Sequence, residues 1–496
     1  MKATKPMIIQ GGMGVAVSSW QLARAVGASG QLGVVSGTAL DIVLTRRLQL
    51  GDPTGVYRRA IEEFPFPEMG RRVIDRYFVP GGKAPDKPFR DLHLPGQRLD
   101  LDRVELLLVA NFVEVFLAKD GHHGSIGINF LEKIQTTLLP SLFGAMLARV
   151  DYVLMGAGIP RAIPGVLDRL SQGQSCELKL DVTAGSPVVD SRLQFDPVEH
   201  CGSDLPWVER PRFLAIVSSD TLATMLTRKS TGHVDGFVVE NHSAGGHNAP
   251  PRGPKRVNDR GEPMYGERDE SDLSVFRGLE RPFWLAGSFG SPSGLRRARD
   301  AGAAGVQVGT VFAFCDESGL RSDLKAQVLQ QVRQNAIDVF TDPLASPTGF
   351  PFKVLRLPGT LSDPALSTVR RRRCDLGYLR HAYCRADGEI GWRCPAEDVA
   401  VYVRKGGSQE DTVGRHCLCN ALLANVGLGQ IRADGTSEWP LLTSGDDFQA
   451  IFGIMETLRT SHYTARDVID YLLGGPDETA RPEEITTAVP VQLIDI

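Results

Sequence analysis

Residues 282–314 read PFWLAGSFGSPSGLRRARDAGAAGVQVGTVFAF. An apolar run, Pro282 to Ala286, ends in Gly287-Ser288-Phe289-Gly290. A helix is expected over Leu295 to Ala301, with Ser293 as its N-cap and Gly302 as its stop. A second apolar run, Gly305 to Val308, meets Gly309-Thr310 and opens a short helix. Strand, glycine turn and helix, stated twice in succession, is the pattern of parallel β/α structure.

The same unit recurs upstream. Met7 to Gln10 enters Gly11-Gly12-Met13-Gly14, and a helix through Leu22, Ala23, Ala25 and Val26, with Ser18 as expected cap, leads past Gly30 to a strand at Leu32 to Val35. Strand Ser125 to Asn129 precedes a helix ending near Arg149, and strand Tyr152 to Met155 runs into Gly156-Ala157-Gly158 and a helix over Ala162 to Leu170. Phe213 to Val217 ends in Ser218-Ser219 and feeds a helix at Thr221 to Thr227. Val234 to Val239, interrupted by Asp235 and Gly236, stops at Glu240. Counted together, eight strands alternate with helices, which predicts a (β/α)8 barrel over residues 1–325, with a doubly wound open sheet as the alternative. The barrel is preferred because every glycine-rich or polar motif follows a strand and so falls on one face. On that face, the loops after the last two strands and the start of the short extra helix are expected to offer N–H donors to a phosphate. The Gly12-x-Gly14 pair has Val17 where a dinucleotide fingerprint needs its third glycine, and Ser36-Gly37 where it needs a ribose-binding acid. It reads as close backbone approach to a flavin or substrate, not as a nicotinamide site.

Residues 41–120 and 176–211 interrupt the alternation and are expected to be insertions; the first, rich in Pro, Gly and charge, should carry helices of its own and pack over one end of the fold. Residues 326–496 form a C-terminal extension.

The stretch Val238 to Gly253, VVENHSAGGHNAPPRG, combines a strand end with Ala244, Gly245, Gly246 and two histidines, His242 and His247. Two adjacent glycines remove the side chains that would hold backbone N–H groups away from a bound anion, and His247 stands at the edge of such a ligand. Glycine pairs also serve as plain turns, and a histidine beside an apolar strand also serves packing alone.

At 496 residues, with 55 Lys and Arg against 59 Asp and Glu, the chain carries a net charge of -4 and 42% apolar residues. This balance calls for neither nucleic acid nor an anionic membrane as partner. The basic run Arg370 to Arg373 reads as a solvated helix or loop end, with an anion site or an acidic partner as the lesser reading. The start, MKATKPMIIQ, lacks an apolar segment followed by a small-residue cleavage site, which predicts a cytoplasmic protein. Val104 to Ala118, with Glu105, Asn111 and Glu114, reads as a buried helix and not as a membrane span. Five of the eight cysteines crowd into the extension: Cys374, Cys384, Cys394, Cys417 and Cys419. A structural metal on Cys374, Cys394, Cys417 and Cys419, with Cys384, His381 and His416 in reserve, stands beside the plainer reading of reduced cysteines packing a small core.

PMIIQGGMGVAVSSWQLARAVGASGQLGVVSG, GINF, VDGFVVENHSAGGH and FWLAGSFGSPSGLRRARDAGAAGVQVGTVFAFCDESG together resemble the FMN barrel superfamily of nitronate monooxygenases (2-nitropropane dioxygenases) and enoyl-acyl-carrier-protein reductases. FKVLRLPGTLSDP, RRRRCDLGYLR, GWRCPAEDVAVYVRKGG and EDTVGRHCLCNALLANVGLGQ are similar to the stand-alone enoyl reductases that serve polyunsaturated fatty acid and trans-acyltransferase polyketide synthases. The resemblance implies FMN bound without a covalent link. Gly245, Gly246, Gly287, Gly309 and Thr310 would hold its phosphate, and Met13, Gly14 and Asn129 would lie along its ring and ribityl chain. His247 matches the superfamily's active-site histidine; an imidazole titrating near neutral pH can give a proton to the carbon beside a thioester carbonyl, or take one from carbon next to a nitro group. Ile216 stands where the superfamily often has a lysine on the fifth strand. Three functions follow: an enoyl-thioester reductase using NAD(P)H on an acyl chain held by a carrier protein, a nitronate monooxygenase using O2, or a flavin-binding scaffold with an interaction tail. Assembly into a homo-oligomer is left open.

Overall fold

The computed structural model describes residues 5–183 and 191–474. Eight parallel strands form one sheet: β1 (Ile8–Gln10), β2 (Gly33–Ser36), β3 (Ile126–Leu131), β4 (Tyr152–Gly156), β5 (Arg212–Val217), β6 (Gly236–Glu240), β7 (Phe283–Ala286) and β8 (Gly305–Val308). From β2 on, each pairs with the next in the chain, and β8 pairs with β1. The last gap, between β1 and β2, is bridged at Ile9 and Leu32, with Leu32 N donating to Ile8 O and Gln10 N to Leu32 O. The sheet is therefore a closed (β/α)8 barrel, as expected; closure leaves no open edge.

Alternation along the strands fills its inside. Ile9, Leu32, Val34, Tyr152, Leu154, Leu214, Val238, Trp284 and Ala286 pack as one interior cluster, while the intervening residues face the helices. Two helix caps fall one and two residues from their expected places. Ser19, not Ser18, caps Trp20–Ala28, because Ser18 Oγ is engaged inside the preceding loop, accepting from Met13 N (2.9 Å) and donating to Gly11 O (2.8 Å). Ser291, not Ser293, caps Pro292–Asp300, since Pro292 and its fixed φ take the first helical position.

The first insertion carries the helices Val56–Glu62, Pro67–Tyr77 and Leu101–Lys119. The last is buried along nearly its whole length, and its polar residues persist because each has a partner: Glu114 accepts from Trp20 N at 2.9 Å, Arg72 holds Glu105, and Asn111 bonds Leu107 O. The second insertion is an antiparallel hairpin, Cys176–Lys179 with Arg192–Phe195; residues 184–190 between its arms lie outside the described residues. No helix among the described residues is long and apolar enough to cross a membrane.

Residues beyond 325 do not stand apart from the barrel. The helix Ala465–Gly474 packs against Trp20–Ala28, Pro292–Asp300 and Thr310–Ala313, filling the place in the outer ring between the first and seventh helices. Tyr463 just before it is buried, its hydroxyl bonded to Val311 O at 2.7 Å. A second tie is a buried network in which Arg103 of the insertion and Tyr378 of the extension both reach Asp41, at the head of the helix after β2. The arginine run is not simply solvated. Arg370 forms a buried bidentate pair with Glu438, and Arg372 donates to Thr412 O, because the chain folds back over both.

Candidate functional site

At the C-terminal ends of the strands the barrel opens into a cavity. It is lined by Met13, Gly14, Asn129, Ala244, Gly245, Gly246, His247, Gly287, Gly309 and Thr310, so the chain folding brings the expected site residues into one place.

Its floor is the top interior layer of the strands. Since Val238, Trp284 and Leu214 point inward, so do Glu240, Ala286 and Ile216 two residues on, and the register puts Gln307 beside Ala286 and Ser36 beside Asn129. Asn129 Nδ2 and Gln307 Oε1 are buried with no hydrogen-bond partner among the described residues. Glu240 lines the same cavity, and burial alone pushes its carboxyl up to about 7. A donor, an acceptor and an uncompensated carboxyl in one pocket demand a polar occupant, because leaving such groups unmet costs about 1–3 kcal/mol each. Ile216 keeps the neighbouring stretch of floor apolar, its Cβ standing 3.0 Å from where a Cβ on Gly156 would be.

The wall built by the loops after β7 and β8 offers donors. Gly287 and Ser288 both adopt positive φ (94° and 54°), and a Cβ on Gly287 would strike Asn241 Oδ1 at 2.0 Å. Among the described residues the amides of Gly287, Ser288, Gly290, Gly309 and Thr310 donate to no protein group. Converging amides of this kind suit a phosphate or another anion.

The glycine pair meets the extension as well as the cavity. Gly246 N donates to Thr443 Oγ1 (2.9 Å), and a Cβ on Gly245 would lie 2.7 Å from Gly445 N. The missing side chain of Gly245 thus admits the Thr443–Gly445 loop of the extension, which closes the cavity and returns a bond from Gly445 N to Thr310 Oγ1 at 2.8 Å.

His247 departs from expectation. Its Nε2 lies 2.6 Å from the buried Ser346 hydroxyl, which continues to Thr348 Oγ1 at 2.8 Å, and the ring meets Phe352 edge-on at 4.9 Å. Burial and then the Lys133 charge lower its pKa to about 4, so the ring is neutral at physiological pH and does not titrate there. Lys133 itself, with Nζ 3.2 Å from the centre of the Phe350 ring, is pushed down by burial to about 8, and the adjacent Glu132 up to about 7. Arg415 fixes the support by donating to Ser346 O at 2.6 Å.

No protein-family model matches this chain, and none of the curated proteins does. Among solved structures it is similar to FabK from Thermotoga maritima, at 16% identity over 95% of this chain and 92% of that one, with a TM-score of 0.46. It is similar also to a nitroalkane oxidase from Streptomyces ansochromogenes (16% identity, 94% of each chain, TM-score 0.41). A third is the enoyl reductase domain of MlnA from the macrolactin biosynthesis cluster of Bacillus amyloliquefaciens (13% identity, 72% of this chain and 64% of that one, TM-score 0.34). At such values the chemistry has to rest on the cavity's own residues.

Several of those were not legible in the sequence. Ser346 and the Thr443–Gly445 loop come from the extension and carry no motif, and Phe352 opens a motif that gave no hint of a place beside His247. Glu240 was visible as the one charge ending an apolar strand, but it read as a strand stop. Cys374, Cys394, Cys417 and Cys419 lie together in the extension around a separate small void, but among the described residues no group of three or more His, Cys, Asp or Glu is placed to hold a metal ion.

Proposed function

We propose that the cavity takes FMN and that the protein is an FMN-dependent oxidoreductase, most specifically an NAD(P)H-dependent reductase of enoyl thioesters carried by an acyl carrier protein. The supporting observation is the set of unpaired groups: amides of Gly287, Gly309 and Thr310 for a phosphate, and Asn129, Gln307 and Glu240 for a ring edge bearing both donors and acceptors. When bound, FMN supplies a ring that accepts a hydride and passes it on. Met13 and Gly14 border the same space.

His247 handles the proton. With Nε2 committed to Ser346, Nδ1 is the nitrogen left for a ligand. A neutral ring can release the Nδ1 proton to the carbon beside a thioester carbonyl only if Nε2 takes one in exchange, and the Ser346–Thr348 hydroxyl pair is placed to relay one inward from solvent at the half-buried Thr348. The choice of a carrier-bound acyl chain rests on the resemblance of the extension's motifs; one of them, Phe352 to Pro364, contributes Phe352 to the cavity wall beside His247. All eight cysteines are free thiols, which fits a reducing cytoplasm.

One observation favours the second reading, a nitronate monooxygenase. A histidine neutral down to about pH 4 is always in the unprotonated form that abstraction of a proton from carbon next to a nitro group requires, although the same burial weakens it as a base. Anaerobic mixing of one purified sample with NADH, NADPH and an alkyl nitronate separates the cases. Bleaching of the flavin by a nicotinamide, followed by reoxidation with an enoyl thioester, is expected. Bleaching by nitronate alone would replace this reading with the second, and no bleaching by any of the three would leave a flavin-binding scaffold.

A further inference from the structure

Residues 442–446 of the extension are fastened along their whole length. Leu355 N donates to Leu442 O (3.0 Å), Gly246 N to Thr443 Oγ1 (2.9 Å), Gly445 N to Thr310 Oγ1 (2.8 Å) and Asp446 N to Ser243 O (3.1 Å), while the Asp446 carboxylate takes Lys353 Nζ. Of the three polar side chains from Thr443 to Asp446, two are thus spent on holding the loop. The third belongs to Ser444, which is 4% exposed and lines the cavity, and whose Oγ is buried with no partner among the described residues. A buried hydroxyl left unmet costs stability, and in a loop held this tightly it cannot turn elsewhere to find a partner.

The loop's neighbours point to an anion. Ser444 stands between the tie to Gly246 and the tie to Thr310, and its carbonyl carbon would lie 2.7 Å from a Cβ on Gly245. Thr310 opens the short helix after β8, on the wall whose amides donate to no protein group among the described residues. Its Oγ1 accepts from Gly445 N and donates to none of the described residues, which leaves its proton for a ligand. Among the described residues neither Lys nor Arg lines the cavity, so an anion on this wall is held by uncharged donors and each hydroxyl counts. Asp447 lines the cavity too, with its carboxylate turned onto Gln449 N (3.2 Å).

Resting on the FMN reading above, we infer that Ser444 Oγ donates to the phosphate that the β7 and β8 loops receive, so that the extension completes the phosphate site. Ligand and loop then stabilise each other. The phosphate gives the loop a further tie, and the loop gives the phosphate a hydroxyl that no barrel motif contains.

The test compares two flavins that differ only in the phosphate. Full-length protein stripped of flavin is titrated with FMN and with riboflavin, and binding is read from the quenching of flavin fluorescence. Ser444→Ala should weaken FMN by roughly tenfold or more and leave riboflavin within about twofold of wild type, as loss of one hydrogen bond to a charged group requires. Because the hydroxyl bonds to none of the described residues, the variant stripped of flavin should melt no lower than wild type. Equal weakening of both flavins, weakening of neither, or a lowered melt would overturn the inference and leave Ser444 as part of the loop's own packing. Wild-type protein that bound riboflavin as tightly as FMN would remove the phosphate contact altogether. Wild-type protein that bound neither would overturn the FMN reading itself, and Ser444's part with it.

Discussion

His247 is held neutral by burial, and its Nε2 is committed to a serine. If it passes a proton through that serine, His247→Asn should leave flavin content and flavin reduction by NAD(P)H intact while slowing reoxidation by an enoyl thioester roughly 100-fold or more. Stopped-flow measurement of each half-reaction decides it; equal losses in both would make His247 an orienting group. Glu240 makes a second test that needs no turnover. Burial raises its folded pKa to about 7 from an ordinary 4.5, so the folded apoprotein holds an extra proton across that window. Its stability should fall as pH rises through the window and stay lower above it. Glu240→Gln, neutral throughout, should therefore gain roughly 1–3 kcal/mol over wild type near pH 8 and nothing below about pH 4, read by thermal melting of the apoprotein.

Two elements meet over the cavity, and each can be disturbed alone. The loops after β7 and β8 present unpaired amides, so Gly309→Asp places a carboxylate where an anion is expected, and the purified variant should come off the column without FMN. Full retention of FMN would remove the phosphate from this wall. Opposite it, the Thr443–Gly445 loop is tethered by Asp446, whose carboxylate takes both bonds from the buried Lys353 Nζ at 2.8 Å. Asp446→Asn leaves that ammonium without its counter-charge. Because the aspartate is half-exposed, the loss should be about 1–3 kcal/mol in a urea melt, with weaker FMN binding as the loop loosens.

At the scale of the molecule, the barrel's outer ring is completed by the helix Ala465–Gly474, which arrives after the whole extension. A chain ending after Arg333 would expose the apolar faces of Trp20–Ala28 and Pro292–Asp300 that this helix covers. Such a truncation should lack a cooperative thermal transition, whereas the full chain should melt the barrel and extension together. A soluble truncated barrel with a sharp melt would show that residues up to 333 fold on their own.

The barrel is legible in the apolar runs alone. A strand signal is local, carried by six or so consecutive residues, and all eight strands lie within two residues of where the apolar runs placed them. The glycine loops followed from the same signal, since in parallel β/α structure whatever follows a strand must lie on one face. How the cavity is closed and tuned depends instead on contacts between segments far apart in the chain. Gly245 and Gly246 read as space for a ligand, but the space a side chain would fill at Gly245 is taken by a loop two hundred residues later. His247 read as a group titrating near neutrality, but its charge state is set by burial and by Lys133, which is distant in the chain and faces it in the fold. Electrostatics depends on what surrounds a group in space, and neither desolvation nor a long-range neighbour leaves a mark on the residues beside it in the chain.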